Sequence, residues 1–418
     1  MVSRPAIGRV RASSALEQYA AEFGTPLLVH DLAVLRSRAA SLQAVLPAGS
    51  TLLYSLKANP LPPVVAALQQ AGCGCEVSSL AELGTAIGGA ASRPVLYTGP
   101  GKSSAEIGAA TDAGAVLSVE SGAELARIRP SRARDRSAVL LRIQPAASSA
   151  AALSMADGSQ FGLLEPEAVA ACRQVGDEVD LLGFHVYLGS QLPSADAMLA
   201  GFERALEAVD RVAAAAGVVP RVVDLGGGFA WPNGAPGSGP DLTPLGAGLA
   251  SLLSGLRSSG AELWFESGRS LVAAAGRLLT TVLDVKARSG TTVVVVDAGI
   301  NILGGMSGLG RVLRPSVGFR NLTHPERETQ QVDVVGPLCT PLDRLAVDAR
   351  VAAPQIGDVL CVENVGAYAS TASLAAFLSR PPAVELVIDD GELEAWTLRS
   401  GHVQLPLPDR AVTPPTAP

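Results

Sequence analysis

Residues 95–120, VLYTGPGKSSAEIGAATDAGAVLSVE, contain one complete strand–helix–strand pattern. Val95–Thr98 and Val116–Glu120 are short apolar runs typical of strands, and Ala105–Ala113 between them has helical spacing. The alternation continues in both directions and predicts eight strands: Thr51–Leu56, Gly74–Ser78, Val95–Thr98, Val116–Glu120, Val139–Ile143, Leu181–Tyr187, Arg221–Leu225 and Glu262–Glu266. Eight strand–helix units predict a closed (β/α)8 barrel, whereas six or seven would favour an open sheet.

The pattern changes after about Arg277, where strand patterns continue without regular helices between them. They are Leu278–Val285, Thr292–Asp297, Gln331–Val335, Val359–Val362, Ala383–Ile388 and Glu394–Leu398. Such a series indicates a second, all-β domain. We therefore predict an α/β fold with a barrel over residues 25–276, and a β-domain made of residues 277–404 together with residues 1–24. The proline-rich residues 405–418 are predicted to be a disordered tail.

The composition disfavours several classes of protein. Lys and Arg (32) against Asp and Glu (39) give a net charge of −7, which disfavours a nucleic-acid or anionic-membrane surface. No apolar run reaches the ~20 residues of a membrane-spanning helix, and the N-terminus lacks an apolar secretory core. The odd number of cysteines, five, indicates free thiols in a reducing compartment, the cytoplasm. The four histidines are scattered, which argues against a histidine-built metal site.

In such a barrel, the chemistry lies at the carboxyl ends of the strands. Lys57 is either a solvated loop residue or a desolvated amine in the barrel mouth, where it can form a Schiff base with a carbonyl. The glycines 226–228 either make a tight turn or let backbone N–H groups approach a phosphate. Glu266 either pairs with Arg269 or holds a protonated pyridine nitrogen. The residues at the predicted strand ends are Lys57, Glu76, Gly99, Glu120, Arg142, His185 with Tyr187, Asp224 and Glu266.

An amine, a phosphate loop and a carboxylate are together what pyridoxal 5'-phosphate (PLP) requires. The chain resembles the fold-type III PLP-dependent decarboxylases. These include the diaminopimelate, ornithine and arginine decarboxylases, and they share the alanine-racemase-like fold. The resemblance extends from about Thr25 to Phe377. Its motifs are Tyr54-Ser55-Leu56-Lys57-Ala58-Asn59, Glu76-Val77-Ser78-Ser79 with Glu82, Gly189-Ser190-Gln191, Gly226-Gly227-Gly228-Phe229, Glu266-Ser267-Gly268-Arg269, Val296-Asp297-Ala298-Gly299, Gly336-Pro337-Leu338-Cys339 and Gly366-Ala367-Tyr368.

The resemblance implies roles for single residues. Lys57 would bind the cofactor covalently, Glu266 would keep its pyridine nitrogen protonated, and Cys339 would protonate the substrate carbon after CO2 leaves. The phosphate would be held by Ser190, Gly226, Gly227, Gly228, Arg269 and Tyr368. The remaining cofactor contacts would come from Glu76, Arg142, His185, Tyr187 and Gly268.

In the family, the positions matching Cys339, Asp343 and Tyr368 lie at a dimer interface, and the Cys enters the partner's active site. The resemblance therefore implies a homodimer with shared active sites. A small buried hydrophobe is the alternative role for Cys339.

Several positions depart from the diamine and diaminopimelate enzymes. Those enzymes have an acidic residue directly after the catalytic Cys, where it pairs with a distal amine, whereas Thr340-Pro341 follows here. Tyr187 stands where a ring-stacking His is expected, and Gln160 stands where a Lys precedes Phe-Gly. A glycine-rich insert, residues 304–310, precedes Arg314-Pro315.

These departures resemble a subgroup that decarboxylates amino acids tethered to an acyl carrier protein in secondary-metabolite and antibiotic biosynthesis. The resemblance implies an amino dicarboxylic acid, held as a thioester through its side-chain carboxyl, that loses its α-carboxylate. Since the thioester removes the distal charge, a neutral Thr340 fits it. Arg311 or Arg314 would meet the carrier's phosphopantetheine phosphate or the substrate carboxylate, although surface salt bridges explain both equally well. The substrate-binding set is Asp297, Arg311, Arg314, Thr340 and Asp343.

Three alternatives remain at this point. A decarboxylase of a free amino acid would turn over its substrate without a carrier. Alanine racemase shares the barrel and the cofactor, but it uses a Tyr from the partner where Cys339 is expected to act. Non-enzymatic PLP-binding barrel proteins lack the second β-domain that is predicted here.

Overall fold

The computed structural model describes residues 12–89, 93–130, 135–145, 160–253, 260–288, 290–304 and 316–398. The chain enters through helix α1 (Ala12–Phe23), strand β1 (Leu27–Asp31) and helix α2 (Leu32–Val45). Eight parallel strands then close a barrel: β2 (Thr51–Ser55), β3 (Gly74–Val77), β4 (Val95–Tyr97), β5 (Val116–Val119), β6 (Ser137–Ile143), β7 (Val179–Val186), β8 (Val222–Asp224) and β9 (Glu262–Ser267). This confirms the predicted (β/α)8 barrel.

Helices connect the barrel strands on the outside. They are α3 (Pro62–Gln70), α4 (Leu80–Ile87), α5 (Ser104–Asp112), α6 (Gly122–Leu125), α7 (Glu165–Gln174), α8 (Ala195–Ala216) and α9 (Leu245–Leu253), with the short α10 (Arg269–Val272) after β9. Serine residues cap α4, α5 and α6, because the hydroxyls of Ser79, Ser103 and Ser121 each accept a backbone N–H of the first helical turn. These caps fix the start of each helix in the segment that follows a barrel strand.

The barrel strands are apolar because both of their faces are covered. Every residue of β2, β3, β5, β6 and β8 is buried. A cluster that includes Leu53, Leu96, Leu140 and Trp264 packs apart from the main core. The barrel closes where β2 pairs in parallel with β9, with Thr51 opposite Trp264.

The second domain is a nine-stranded mixed sheet, as the predicted β-domain requires. Besides β1, its elements are β10 (Gly276–Arg288), β11 (Thr291–Val296), helix α11 (Ile300–Leu303), β12 (Arg320–Asn321), β13 (Thr329–Val335), β14 (Arg344–Ala352), β15 (Val359–Glu363), β16 (Val384–Asp389) and β17 (Glu392–Thr397). The insert beyond residue 304, Arg311, Arg314 and the tail 405–418 lie outside the described residues. In the described part of the chain, no helix is both long and apolar enough to cross a membrane.

The structure differs from the predicted domain boundary at β1. Residues 27–31 fall inside the barrel range of the sequence analysis, but β1 pairs antiparallel with β10 and parallel with β16. A buried apolar run such as LLVHD suits a central strand of either sheet. Its partners lie more than 200 residues away, so local sequence does not identify them.

The second domain touches the barrel mouth through residues 364–368, which follow β15. The backbone N–H of Tyr368 donates to the Ala58 carbonyl oxygen at 2.7 Å, and the Asn59 side-chain amide donates to Gly366 at 3.1 Å. Gly366 also packs on Gly276, where an added Cβ would lie 2.2 Å from the Gly366 Cα. These contacts bring Tyr368 to the mouth of the barrel.

Candidate active site

The carboxyl ends of the barrel strands bring together most of the polar residues selected from the sequence. Lys57 lies in the single helical turn that follows β2, and β2 pairs with both β3 and β9. Ser55 is opposite Glu76, and Leu53 is opposite Glu266, so the two carboxylates flank the strand that leads to Lys57.

Lys57 and Glu76 form a close ion pair. The Lys57 Nζ is 2.9 Å from Glu76 Oε2 and 3.1 Å from Oε1. Burial lowers the Lys57 pKa, but the negative charges of Glu76 and Glu266 outweigh it and raise that pKa above its usual value. Burial raises the Glu76 pKa, but Lys57 outweighs it, so the pKa of this carboxyl is lowered. The Lys57 side chain is 48% exposed, so its amine can be reached by a ligand's carbonyl.

A second group of buried residues lies behind the mouth. His185, Asp224 and Glu266 are each at most 4% exposed. His185 Nε2 lies 3.3 Å from Glu266 Oε1, and His185 Nδ1 is 2.8 Å from the Ser118 hydroxyl. Burial, followed by the charge of Arg142, lowers the His185 pKa well below its usual value, so the imidazole is neutral. Burial, followed by the charge of Glu76, raises the Glu266 pKa well above its usual value.

Nearby cations disfavour a metal ion in this group. The ligand atoms of His185, Asp224 and Glu266 lie within 4.8 Å of one another, as a metal site would require. However, the positive charges of Lys57 and Arg142 act on all three side chains. A divalent metal ion requires more negative charge from its ligands than a singly charged ring N–H group, which donates one hydrogen bond. With two cations nearby, this group therefore suits the ring N–H better than a metal ion.

The glycine loop after β8 has no space for side chains. Gly226 and Gly228 have φ values of +65° and +104°, which favour glycine. An added Cβ on Gly227 would lie 2.7 Å from the Glu266 carbonyl oxygen. Tyr187 lies beside this loop, and its hydroxyl is 2.6 Å from that of Ser190. Backbone and hydroxyl groups can therefore surround an anion closely here.

Arg142 connects the barrel mouth to the loop before α7. Its Nη1 lies 2.9 Å from Glu120 Oε1, and the other Glu120 oxygen accepts the Gly162 N–H at 3.0 Å. The guanidinium carbon lies 4.8 Å from the Phe161 ring centre and 5.9 Å from that of Tyr187. Gln160-Phe161-Gly162 is thereby fixed against the mouth.

The fold creates a small cleft of about 60 Å³ at this mouth. Arg269 and Tyr368 close one side, with the guanidinium carbon 4.8 Å from the Tyr368 ring centre. The cleft is lined by Ser55, Lys57, Tyr187, Ser190, Gln191, Gly227, Gly228, Phe229, Glu266, Ser267, Gly268, Arg269 and Tyr368.

The other selected residues lie in the second domain and do not line this cleft. Cys339 is exposed. Asp343 is buried and accepts the backbone N–H groups of Ile300 at 2.8 Å and Leu338 at 2.7 Å. The Asp297 carboxylate accepts hydrogen bonds from the second-domain residues Thr280 and Thr281 and from Thr25. Thr340 directly follows Cys339 and is half-buried.

Several residues that hold the site together were not predicted from the sequence. Thr98 and Ser78 donate to Glu76, and Ser118 contacts His185. Asp224 was noted at a strand end but given no role. A buried polar side chain in or directly after an apolar strand requires a partner, and that is the signal which identifies Thr98, Ser118 and Asp224.

The site fits PLP by three observations. An amine, on Lys57, is exposed toward the cleft. The Glu266 side chain is buried but lines the cleft, so its carboxylate can accept a ring N–H. The glycine loop offers backbone donors at a position that a Cβ would fill.

Comparisons with known proteins agree with this chemistry. Residues 32–273 match the model of the family described as "Pyridoxal-dependent decarboxylase, pyridoxal binding domain". The diaminopimelate decarboxylase of Deinococcus radiodurans is 34% identical over 89% of this chain and 92% of that protein. The L-glutamyl-[BtrI acyl-carrier protein] decarboxylase of Niallia circulans is 29% identical over 89% of this chain and 90% of that protein. The crystal structure of Helicobacter pylori diaminopimelate decarboxylase with L-lysine aligns with a TM-score of 0.79 at 26% identity, covering 91% of this chain and 95% of that one.

Proposed function

The chain belongs to the fold-type III PLP-dependent decarboxylases, and on that premise we propose that it acts on an amino dicarboxylic acid tethered to an acyl carrier protein. The enzyme is an amino acid carboxy-lyase whose cofactor is PLP. In the proposed reaction, the substrate is held as a thioester through its side-chain carboxyl and loses its α-carboxylate as CO2. The product is a β- or γ-amino acyl carrier protein for secondary-metabolite or antibiotic biosynthesis.

PLP supplies a ring that accepts the electron pair of the breaking bond between the α-carbon and the carboxylate. In the proposal, the Lys57 amine would hold the cofactor and the Glu266 carboxylate would keep the ring nitrogen protonated. Ser190, Arg269 and the glycine loop would bind the phosphate, and Tyr187 would pack against the ring. The Cys339 thiol would donate a proton to the α-carbon once CO2 has left.

The absence of charge directly after Cys339 supports the tethered substrate. Thr340, Pro341 and Leu342 follow it, and Leu342 is 76% exposed. The next acidic residue, Asp343, points inward and is occupied by two backbone N–H groups. A distal ammonium would therefore find no partner on this segment, whereas a neutral thioester needs none. The acyl-carrier-protein decarboxylase among the relatives is named for such a substrate.

A homodimer with shared sites is part of the proposal. Cys339 is exposed and does not line the cleft of its own chain. Arg380 contacts the Pro337 carbonyl oxygen, which places the exposed Phe377 and Leu378 near the same loop. An apolar loop of this kind suits an interface. We also place the enzyme in the cytoplasm, since all five cysteines are unpaired thiols.

Decarboxylation of free diaminopimelate is the second candidate. The 34% identical relative is named for it, and several solved structures of similar fold are diaminopimelate decarboxylases. Under this candidate, the distal charge of the substrate must be met by residues other than the segment 340–342.

A charge introduced after Cys339 tests the proposal. Thr340→Asp should reduce CO2 release from a carrier-tethered substrate about tenfold and produce measurable release from free diaminopimelate. Thr340→Asn is the control of equal size without charge, and it should keep the preference for the tethered substrate. If the Asp and Asn variants have the same substrate preference, segment 340–342 does not select substrates by their distal charge, and the proposal loses its support.

A further inference from the structure

A second buried carboxyl lies next to Glu266. Asp224 ends β8 and is fully buried. Its Oδ1 accepts the Gly226 N–H at 2.7 Å, whereas Oδ2 has no hydrogen-bond partner among the described residues. His185 Nε2 and Glu266 Oε1 are also without hydrogen-bond partners there. Three unpartnered atoms thus occur within one buried group whose ligand atoms all lie within 4.8 Å of one another.

Two carboxyl groups this close in a dry environment do not both ionise freely. Burial raises the pKa of Asp224 to about 7, although the Gly226 N–H opposes this. The charge of Asp224 in turn contributes to the raised pKa of Glu266, after burial and the charge of Glu76. The charged and titratable groups beside the pair are Lys57, Glu76, Arg142, His185 and Tyr187, and Lys102 acts on His185.

We propose that Asp224 is a positioning residue for Glu266, and that its gain or loss of a proton sets the negative charge behind the cofactor ring. The inference requires that PLP is the cofactor, and it does not depend on the proposal that the substrate is tethered to a carrier protein. Asp224 acts through Glu266, because Glu266 lines the cleft and Asp224 does not. Its neighbour His185 is neutral and adds no positive charge to offset it.

The direction of the pH effect follows from these charges. A protonated ring nitrogen bound against Glu266 would hold that carboxyl in its ionised form although its pKa is raised. Below about pH 7, Asp224 is neutral and Glu266 supplies the only negative charge of the pair. Above it, Asp224 is ionised and adds a second negative charge, which favours the protonated ring nitrogen. We therefore expect Asp224 to strengthen PLP binding by about tenfold as the pH rises through that value, which equals a coupling of about one pKa unit.

Cofactor titration of the apoenzyme tests this without measuring turnover. PLP dissociation constants of the wild type and of Asp224→Asn should be measured one pH unit below and one above the Asp224 pKa of about 7. The two proteins should agree at the lower pH, and the variant should bind about tenfold more weakly at the higher pH. The ionisations of PLP itself affect binding to both proteins equally, so they do not change the difference between the wild type and the variant. Parallel pH dependence in the two proteins would overturn the proposal.

A matched control separates this effect from general loss of stability. Asp358 is also a buried aspartate, but it lies in the second domain with Arg327 and Asn321. Asp358→Asn should keep the wild-type pH dependence of PLP binding. If Asp224→Asn does not fold, aspartate-selective carbon-13 labelling and infrared titration of the wild-type apoenzyme give the answer. A protonated aspartate that ionises near pH 7 is expected, and its absence would refute the proposal.

Discussion

Lys57 is held as a cation, although its amine must be neutral to attack a carbonyl. Burial favours the neutral amine, but Glu76 and Glu266 outweigh it. Glu76→Gln removes the nearest negative charge, so we expect the Lys57 pKa to fall by about one to three units. Covalent attachment of PLP to the apoenzyme should then accelerate at a correspondingly lower pH, as stopped-flow absorbance measures. Glu106→Gln is the control, since the Glu106 carboxylate accepts the Ser103 N–H at the start of α5 and the charge of Lys57 is not among the causes of its pKa shift. An unshifted Glu76→Gln profile would contradict this account.

Single residues could be selected from the sequence where a polar side chain ends an apolar run. Lys57, Glu76 and Glu266 are of this kind, and the structure brings them together. The link from Glu120 to Gly162 could not be found in this way, because it joins residues 42 positions apart. The inward orientation of Asp343 was also missed, because it depends on backbone N–H groups of Ile300 and Leu338.

The loop after β8 is predicted to tolerate no side chain. In Gly227→Ala, the new Cβ would meet the Glu266 carbonyl oxygen at 2.7 Å, and the backbone on both sides leaves little room to adjust. We expect a loss of about 1–3 kcal/mol in stability and at least tenfold weaker PLP binding. Thermal unfolding and cofactor titration measure the two effects.

Gly108→Ala is the matched control for that substitution. Gly108 lies in α5, and an added Cβ there would meet nothing within 4 Å. Because alanine favours helices, this variant should gain up to about 1 kcal/mol and bind PLP normally. Equal PLP affinity in the two variants would show that the glycine loop does not approach the cofactor closely.

The barrel strands were predictable because each is an apolar run bounded by turn residues, and the structure has all eight within a few residues of the expected bounds. The assignment of β1 failed for a physical reason. The sequence of a strand that is buried on both faces does not indicate which strands it pairs with. The partners of β1 are β10 and β16, which lie far along the chain.

Mixing two inactive variants tests the proposed shared site. Lys57→Ala and Cys339→Ala should each lack activity, but a mixed dimer contains one site with both native residues. After subunit exchange of equal amounts, about one quarter of the wild-type activity should return for a twofold-symmetric dimer. Mixing Lys57→Ala with a Lys57→Ala/Cys339→Ala double variant should restore nothing. If the first mixture stays inactive although its subunits exchange, Cys339 does not serve the partner's site.

The overall arrangement, with the barrel and the second sheet meeting at Tyr368, combines predictable and unpredictable parts. The change from alternating helices and strands to strands alone marked two domains. The docking contacts, from Tyr368 to Ala58 and from Asn59 to Gly366, involve backbone groups that carry no sequence signature. Substrate choice is harder still, since a few contacts worth about 1–3 kcal/mol decide it.

CO2 release by the purified holoenzyme tests the tethered-substrate proposal most directly. Carrier protein loaded with aspartyl or glutamyl thioester should be compared with free aspartate, glutamate, lysine and diaminopimelate at equal concentrations. The uncharged segment after Cys339 predicts release from a loaded carrier and none from the free amino acids. Release from free diaminopimelate, with none from either loaded carrier, would contradict the proposal and leave the enzyme a free amino acid decarboxylase.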